Sequence, residues 1–155
     1  MYSIQVNTAL SERSAQNKEF VFNNLGHLLW VDMLRELYHQ LDGGKAVGID
    51  GVTKVDYGAN LEQNLDDLRK RIRRGQYHPQ PARSTEIPKE DGSTRPLALS
   101  CFEDKRVQLA VSRILTAIYE PLFLPCSFGC RPGRGCHDAL RALSNATYQP
   151  TLGPW

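Results

Sequence analysis

The chain has 155 residues, 41% of them apolar and 23% charged, which leaves room for one compact domain or a domain with a flap. That composition excludes a disordered chain or a fibre, and no run nears the roughly 18 apolar residues of a membrane span. The formal charge of +2 hides a split: residues 1–68 hold five Lys/Arg against ten Asp/Glu, a balance of −5, and residues 69–155 hold fourteen against seven, a balance of +7. Asymmetry of this kind points to a partner bearing phosphates.

Residues 1–23 are polar and aperiodic at the start and lack a secretory core between Met1 and Lys18. They read as a flexible N-terminal tail on a cytoplasmic protein. Leu25, Leu28, Leu29, Leu37, Tyr38 and Leu41 predict a helix over about 24–41, closed by Asp42-Gly43-Gly44. A glycine-punctuated loop runs from Gly43 to Gly51. Leu61, Leu65, Leu68 and Ile72 lie on one helical face over about 61–74. Acidic residues come early in that helix, and Lys70, Arg71, Arg73 and Arg74 come late, as the helix dipole favours; Gly75 stops it.

The period then changes. Residues 83–89 and 94–100 are extended around Glu90-Asp91-Gly92-Ser93, a hairpin signal, with Pro88 and Pro96 marking edges. A third helix is expected over about 103–120. Its stripe is Val107, Val111, Ile114, Leu115, Ile118 and Leu122, and Pro121 ends it. A Pro/Cys/Gly-rich segment leads to a last helix over about 135–146, carrying Ala139, Leu140 and Leu143, and residues 144–155 read mainly as coil. The class is mostly α with one β-hairpin, α+β.

The four cysteines, at 101, 126, 130 and 136, form no C-x-x-C pair and read as free thiols, with no metal site expected. No nucleophile has an evident base with a supporting carboxylate, and His137-Asp138 reads as helix-surface polarity. Arg83, Lys89 and Arg95 bracket the hairpin. Arg83 and Lys89 are an even step apart, so they share a face on a regular strand, and Arg95 can join them across the turn. Such a set suits a triphosphate or a nucleic-acid backbone; a hairpin with scattered, solvated cations is the alternative.

Several segments, taken in order, carry a resemblance. They are Ala46-Val47-Gly48-Ile49-Asp50-Gly51-Val52-Thr53, Gly75-Gln76-Tyr77-His78-Pro79, Glu86-Ile87-Pro88-Lys89 with Arg95-Pro96-Leu97, and Asp104-Lys105-Arg106-Val107-Gln108. After these come Ile118-Tyr119-Glu120-Pro121-Leu122-Phe123, and Ser127-Phe128-Gly129-Cys130-Arg131-Pro132-Gly133-Arg134 with His137-Asp138-Ala139-Leu140. The series resembles the N-terminal part of bacterial group II intron reverse transcriptases, the intron-encoded maturases, over about residues 40–143.

The resemblance implies the fingers subdomain of a right-hand RNA-directed DNA polymerase, over 24–143 with the start of the palm. It implies that loop 43–51 is a lid over the template and that hairpin 83–100 covers the incoming nucleotide. Arg83, Lys89 and Arg95 would then face the dNTP triphosphate. The nucleic-acid contacts expected with it are Lys45, Lys70, Arg71, Arg73, Arg74, Arg131 and Arg134. Partners in an intact parent would be template or intron RNA, a DNA primer and dNTP.

Ala98 and Ser100 depart from the family's glycine and proline, and Cys130 stands where an aromatic residue is usual. The family's metal-binding aspartates lie beyond the matching segments, and no residue after Asp138 is acidic. Without them there is no two-metal clamp. The chain is therefore expected to be a fragment with an incomplete palm and no catalytic residue or cofactor of its own. Magnesium, the remaining palm and the thumb would belong to the parent. A non-catalytic RNA-binding module, or a decayed or split reverse transcriptase, is the alternative. Self-association through exposed apolar helix faces is a further expectation.

Overall fold

The computed structural model describes residues 2–23 and 25–148. Among these residues the architecture is helical with one two-stranded antiparallel sheet, so α+β holds. The elements are α1 (Tyr2–Gln16), a 3-10 turn (Leu25–Leu28), α2 (Val31–Gln40), α3 (Lys54–Ala59) and α4 (Leu61–Arg73). After them come β1 (Arg83–Pro88), β2 (Thr94–Leu99), α5 (Phe102–Tyr119), a second 3-10 turn (Glu120–Leu122) and α6 (Cys136–Tyr148). Among the described residues no helix is long and apolar enough to cross a membrane.

The core lies where α2, α4 and α5 meet. Leu28, Met33, Leu34, Leu37, Leu65, Leu68, Val107, Ala110, Ile114 and Ile118 form one buried cluster. Each fully buried leucine stabilises the fold by roughly 1.5–3 kcal/mol relative to exposure. In α4 the expected stripe is realised, with Leu65 and Leu68 buried and Leu61 and Ile72 packed against them. Its end is a Schellman closure: Gly75, at φ +67°, donates its N–H to Ile72 O and Gln76 donates to Arg71 O.

Several expectations are corrected. Residues 2–16, read as part of a tail, form α1. Its apolar stripe is weak, so periodicity hides it, but Leu10 packs on the core and the buried Ser14 hydroxyl donates to Ile118 O. That carbonyl is among the last four of α5, which lack an intrahelical partner. The helix expected over 24–41 is broken at Leu29 and Trp30, where Trp30 is extended at φ −78°, ψ 154°. Helix α3 is not among the expected elements, although Thr53-x-x-Asp56 is a capping box. Thr53 Oγ1 accepts from the Asp56 N–H, and Asp56 Oδ2 accepts from the Thr53 N–H.

In α5, Val111 and Leu115 stay 40% and 41% exposed, and Ala110 takes the core-facing place beside Val107, Ile114 and Ile118. Helix α6, expected to end at about 146 with coil following, runs on to Tyr148; residues 149–155 lie outside the described residues. Helix α6 buries none of its residues, and Leu140 and Leu143 remain exposed.

Candidate nucleotide and nucleic-acid interface

The first turn of α5 is the junction at which the glycine loop 43–51 and the root of the hairpin meet. Glu103 accepts two hydrogen bonds from Arg71 at 2.8 and 3.0 Å and one from the Tyr57 hydroxyl at 3.1 Å, joining α3, α4 and α5. Asp104, 3% exposed, accepts from the Tyr77 hydroxyl and from the Gln80 N–H at 3.0 Å. It thereby pins the segment that leads into β1.

Arg106 is fully buried, with no hydrogen bond from any of its three guanidinium nitrogens. Its guanidinium carbon lies 4.2 Å from the centroid of the Tyr57 ring, so the contact is a cation–π one. Burial depresses the Arg106 pKa, and burial raises Tyr57 to about 12. Burial, with the hydrogen bond to Asp104, also raises Tyr77. Both phenols thus stay protonated as donors at neutral pH.

The glycine loop 43–51 is held against this junction. Gly48 is buried so close to Cys101 that a Cβ would lie 2.5 Å from the Cys101 Cα, so only glycine fits without movement. Lys105 Nζ donates to Ala46 O at 2.7 Å, and Lys54 Nζ donates to Leu41 O at 2.6 Å. The cation left exposed on the loop is Lys45.

The hairpin projects from the helices with nearly all of its residues exposed. Its register pairs Arg83 with Leu99, Ile87 with Arg95 and Pro88 with Thr94. The Lys89 N–H to Ser93 O bond continues the ladder by one more pair. Directly paired residues point to the same side, so Arg83, Lys89 and Arg95 share one face with Thr85, Ile87 and Leu97. Glu86 lies on the other face. None of the three cations has an ion pair or side-chain hydrogen bond among the described residues.

The remaining expected nucleic-acid residues divide. Arg73 and Arg74 are exposed at the end of α4 and have no ion pair among the described residues. Lys70 pairs with Asp66 at 2.7 Å but stays 60% exposed. Arg71 is engaged by Glu103 and Asp67.

The Arg131 side chain is largely buried, at 6% exposure. It forks onto Glu120 at 2.6 Å, donates to the carbonyls of Leu124 and Ser127, and lies over the Phe123 ring. This clamp pulls the Glu120 carboxyl below its usual range. Arg134 likewise donates to Pro125 O at 2.6 Å. Both close the 123–134 loop instead of presenting free charge.

The residues that sequence reasoning missed are Glu103, Asp104 and Tyr57. The signal available was Asp104 inside a recognised motif. Among the described residues no three His, Cys, Asp or Glu side chains gather to hold a metal ion, and the cysteines are free thiols.

No protein-family model matches the chain. Over 136 residues, 86% of its length, it is 35% identical to the group II intron-encoded protein LtrA of Lactococcus lactis. The chain is a relative of the group II intron-encoded proteins. It is also 39% identical over 114 residues, 74% of its length, to protein YkfC of Escherichia coli. A protein in the cob intron of Schizosaccharomyces pombe is 34% identical over 137 residues. The chain spans 23%, 30% and 17% of the length of these three curated relatives.

Proposed function

We propose that this stretch serves as the fingers of an RNA-directed DNA polymerase of the group II intron type. In this reading it grips template RNA and seats the incoming nucleotide, and it does not supply the metal-binding carboxylates. One observation carries the reading: Arg83, Lys89 and Arg95 stand unpaired on one face of a projecting hairpin whose root is pinned by Asp104. Three cations on a rigid element suit a triphosphate, with arginine forks for the oxygens and lysine as a point charge. Ile87 and Leu97 on the same face offer apolar surface beside it. The lid, anchored at Gly48, lies on the same α5 turn and brings Lys45 to the template side.

The test is backbone chemical-shift mapping during titration with a deoxynucleoside triphosphate, with the unphosphorylated nucleoside as control. Shifts confined to the hairpin, lost on Arg83→Glu with Arg95→Glu, are expected. Shifts that are absent, or equal for the nucleoside, would overturn the triphosphate assignment. An RNA-binding module without a nucleotide role would use the same surface and would show RNA binding with no triphosphate response.

A further inference from the structure

Away from the hairpin, α1 and α5 leave an open groove of about 710 Å³ between them. Its walls include Asn7 and Ser11 from α1, and Ser112, Thr116 and Ala117 from α5. Small side chains on both walls let another helix approach closely. The wall from Ser112 to Glu120 is about 12 Å long, a little over two helical turns. Most of the charge in the lining is engaged by its own chain: Arg113 pairs with Glu36 at 3.0 Å and Glu120 with Arg131 at 2.6 Å. Glu12 is exposed and has no ion pair among the described residues. In the α1 wall the Asn7 side-chain oxygen is buried and accepts no hydrogen bond. A buried acceptor left open is a cost that a guest donor removes. The groove therefore suits a guest with an apolar ridge, a hydrogen-bond donor and a positive charge.

Helix α6 carries all three and buries none of its residues. Leu140 and Leu143, 62% and 61% exposed, share one helical face with Thr147. The Thr147 hydroxyl is already used on the carbonyls of Leu143 and Ser144, so that face is apolar. Ser144, exposed at its edge, brings a hydroxyl donor. Arg141 flanks it, 73% exposed and reaching Asp138 only at 3.3 Å, and no acidic residue follows. The charge balance over the sequence has the same sense. The groove wall α1 belongs to the half at −5, and α6 to the half at +7. Opposite charge selects and orients a partner more than it adds affinity.

We infer that the groove between α1 and α5 is a dimer interface that takes α6 of a second copy. Leu140 and Leu143 lie on the small side chains, Ser144 meets Asn7, and Arg141 meets Glu12. Two-fold symmetry makes each contact twice, which a helix this short needs to reach the roughly 1,200 Å² of a stable interface. The inference does not rest on the polymerase reading.

Sedimentation equilibrium of the full chain, from micromolar to near-millimolar concentration, should show a monomer–dimer equilibrium. Leu140→Glu with Leu143→Glu should leave a monomer throughout, with an unchanged thermal melt, because both residues are exposed. Ser112→Trp fills the groove from an exposed position and should do the same. Glu12→Arg and Arg141→Glu should each weaken dimerisation several-fold, and the two together should restore it.

A chain that stays monomeric overturns the inference. So does a dimer that persists in Leu140→Glu with Leu143→Glu or in Ser112→Trp, since it puts the interface elsewhere. A monomer whose α6 amides are protected from exchange would mean that α6 closes on its own groove, which also overturns it. Two charge reversals that add to each other's damage would overturn the pairing of Arg141 with Glu12.

Discussion

The hairpin and the first turn of α5 are both rich in charge and use it in opposite ways. On the hairpin, Arg83, Lys89 and Arg95 form no ion pair or side-chain hydrogen bond among the described residues, because both faces of the two-stranded ribbon are largely exposed. Around α5, Arg71 meets Glu103, Glu103 and Arg106 both meet Tyr57, and Asp104 holds Tyr77 and the Gln80 N–H at the hairpin root. An arginine in a motif is therefore not a ligand contact by type. What decides is whether the fold has already engaged its donors, as it has for Arg131 and not for Arg95.

The contrast can be broken first at its tightest point. Gly48→Ala places a Cβ against the Cys101 backbone and should destabilise the chain by about 3 kcal/mol, read as a lowered urea midpoint. An unchanged midpoint would mean that the 43–51 loop is not seated on α5.

Asp104→Ala removes the acceptor for the Tyr77 hydroxyl and the Gln80 N–H and should cost about 2 kcal/mol. Faster amide exchange at residues 80–84 should accompany it; exchange left as before would separate the hairpin root from this carboxylate.

Arg106→Met tests the junction with the opposite sign. A buried guanidinium without a hydrogen-bond partner is replaced by an apolar chain, and stability should hold or rise by about 1 kcal/mol. A large loss would show that the cation–π contact with Tyr57 outweighs desolvation.

The smallest effect is on pH dependence. Hydrogen bonds from Arg35, Lys70 and Arg131 lower the pKa values of Glu62, Asp66 and Glu120 below their usual 4.5, 3.8 and 4.5. A depressed carboxylate stabilises the folded state fully above its unfolded pKa, and the effect fades as pH falls through the folded one. Urea midpoints should therefore be level near neutrality and decline below about pH 4.5. A midpoint that rose on acidification would contradict these pairings.

Much of the fold was legible because it rests on local rules. The four-residue spacing of Leu61 and Leu65, the stop at Gly75, and Asp91-Gly92 between extended runs each specify an element without tertiary help. Helix α1 was not legible, since its described docking contacts include a lone leucine, Leu10, and a serine that finds the carbonyl end of a helix 104 residues away. The even spacing of Arg83 and Lys89 foretold their shared face, and the pairing register supplied Arg95.

The state of Arg131 could not be read in the same way. Its partners include the carbonyls of Leu124 and Ser127, which carry no side-chain signature, and only the folded loop brings them to its fork. The +7 balance of the second half therefore overstates the charge offered to a partner.

The distinction between free and engaged cations is tested most directly by a matched pair, Arg95→Ala and Arg131→Ala, assayed for both urea stability and triphosphate binding. Arg95→Ala should leave the urea midpoint unchanged and weaken triphosphate binding several-fold, by loss of one charge-assisted contact. Arg131→Ala should lower stability by about 2 kcal/mol and leave binding by the folded protein unchanged. Loss of triphosphate binding in folded Arg131→Ala, with Arg95→Ala indistinguishable from the parent, would contradict the account.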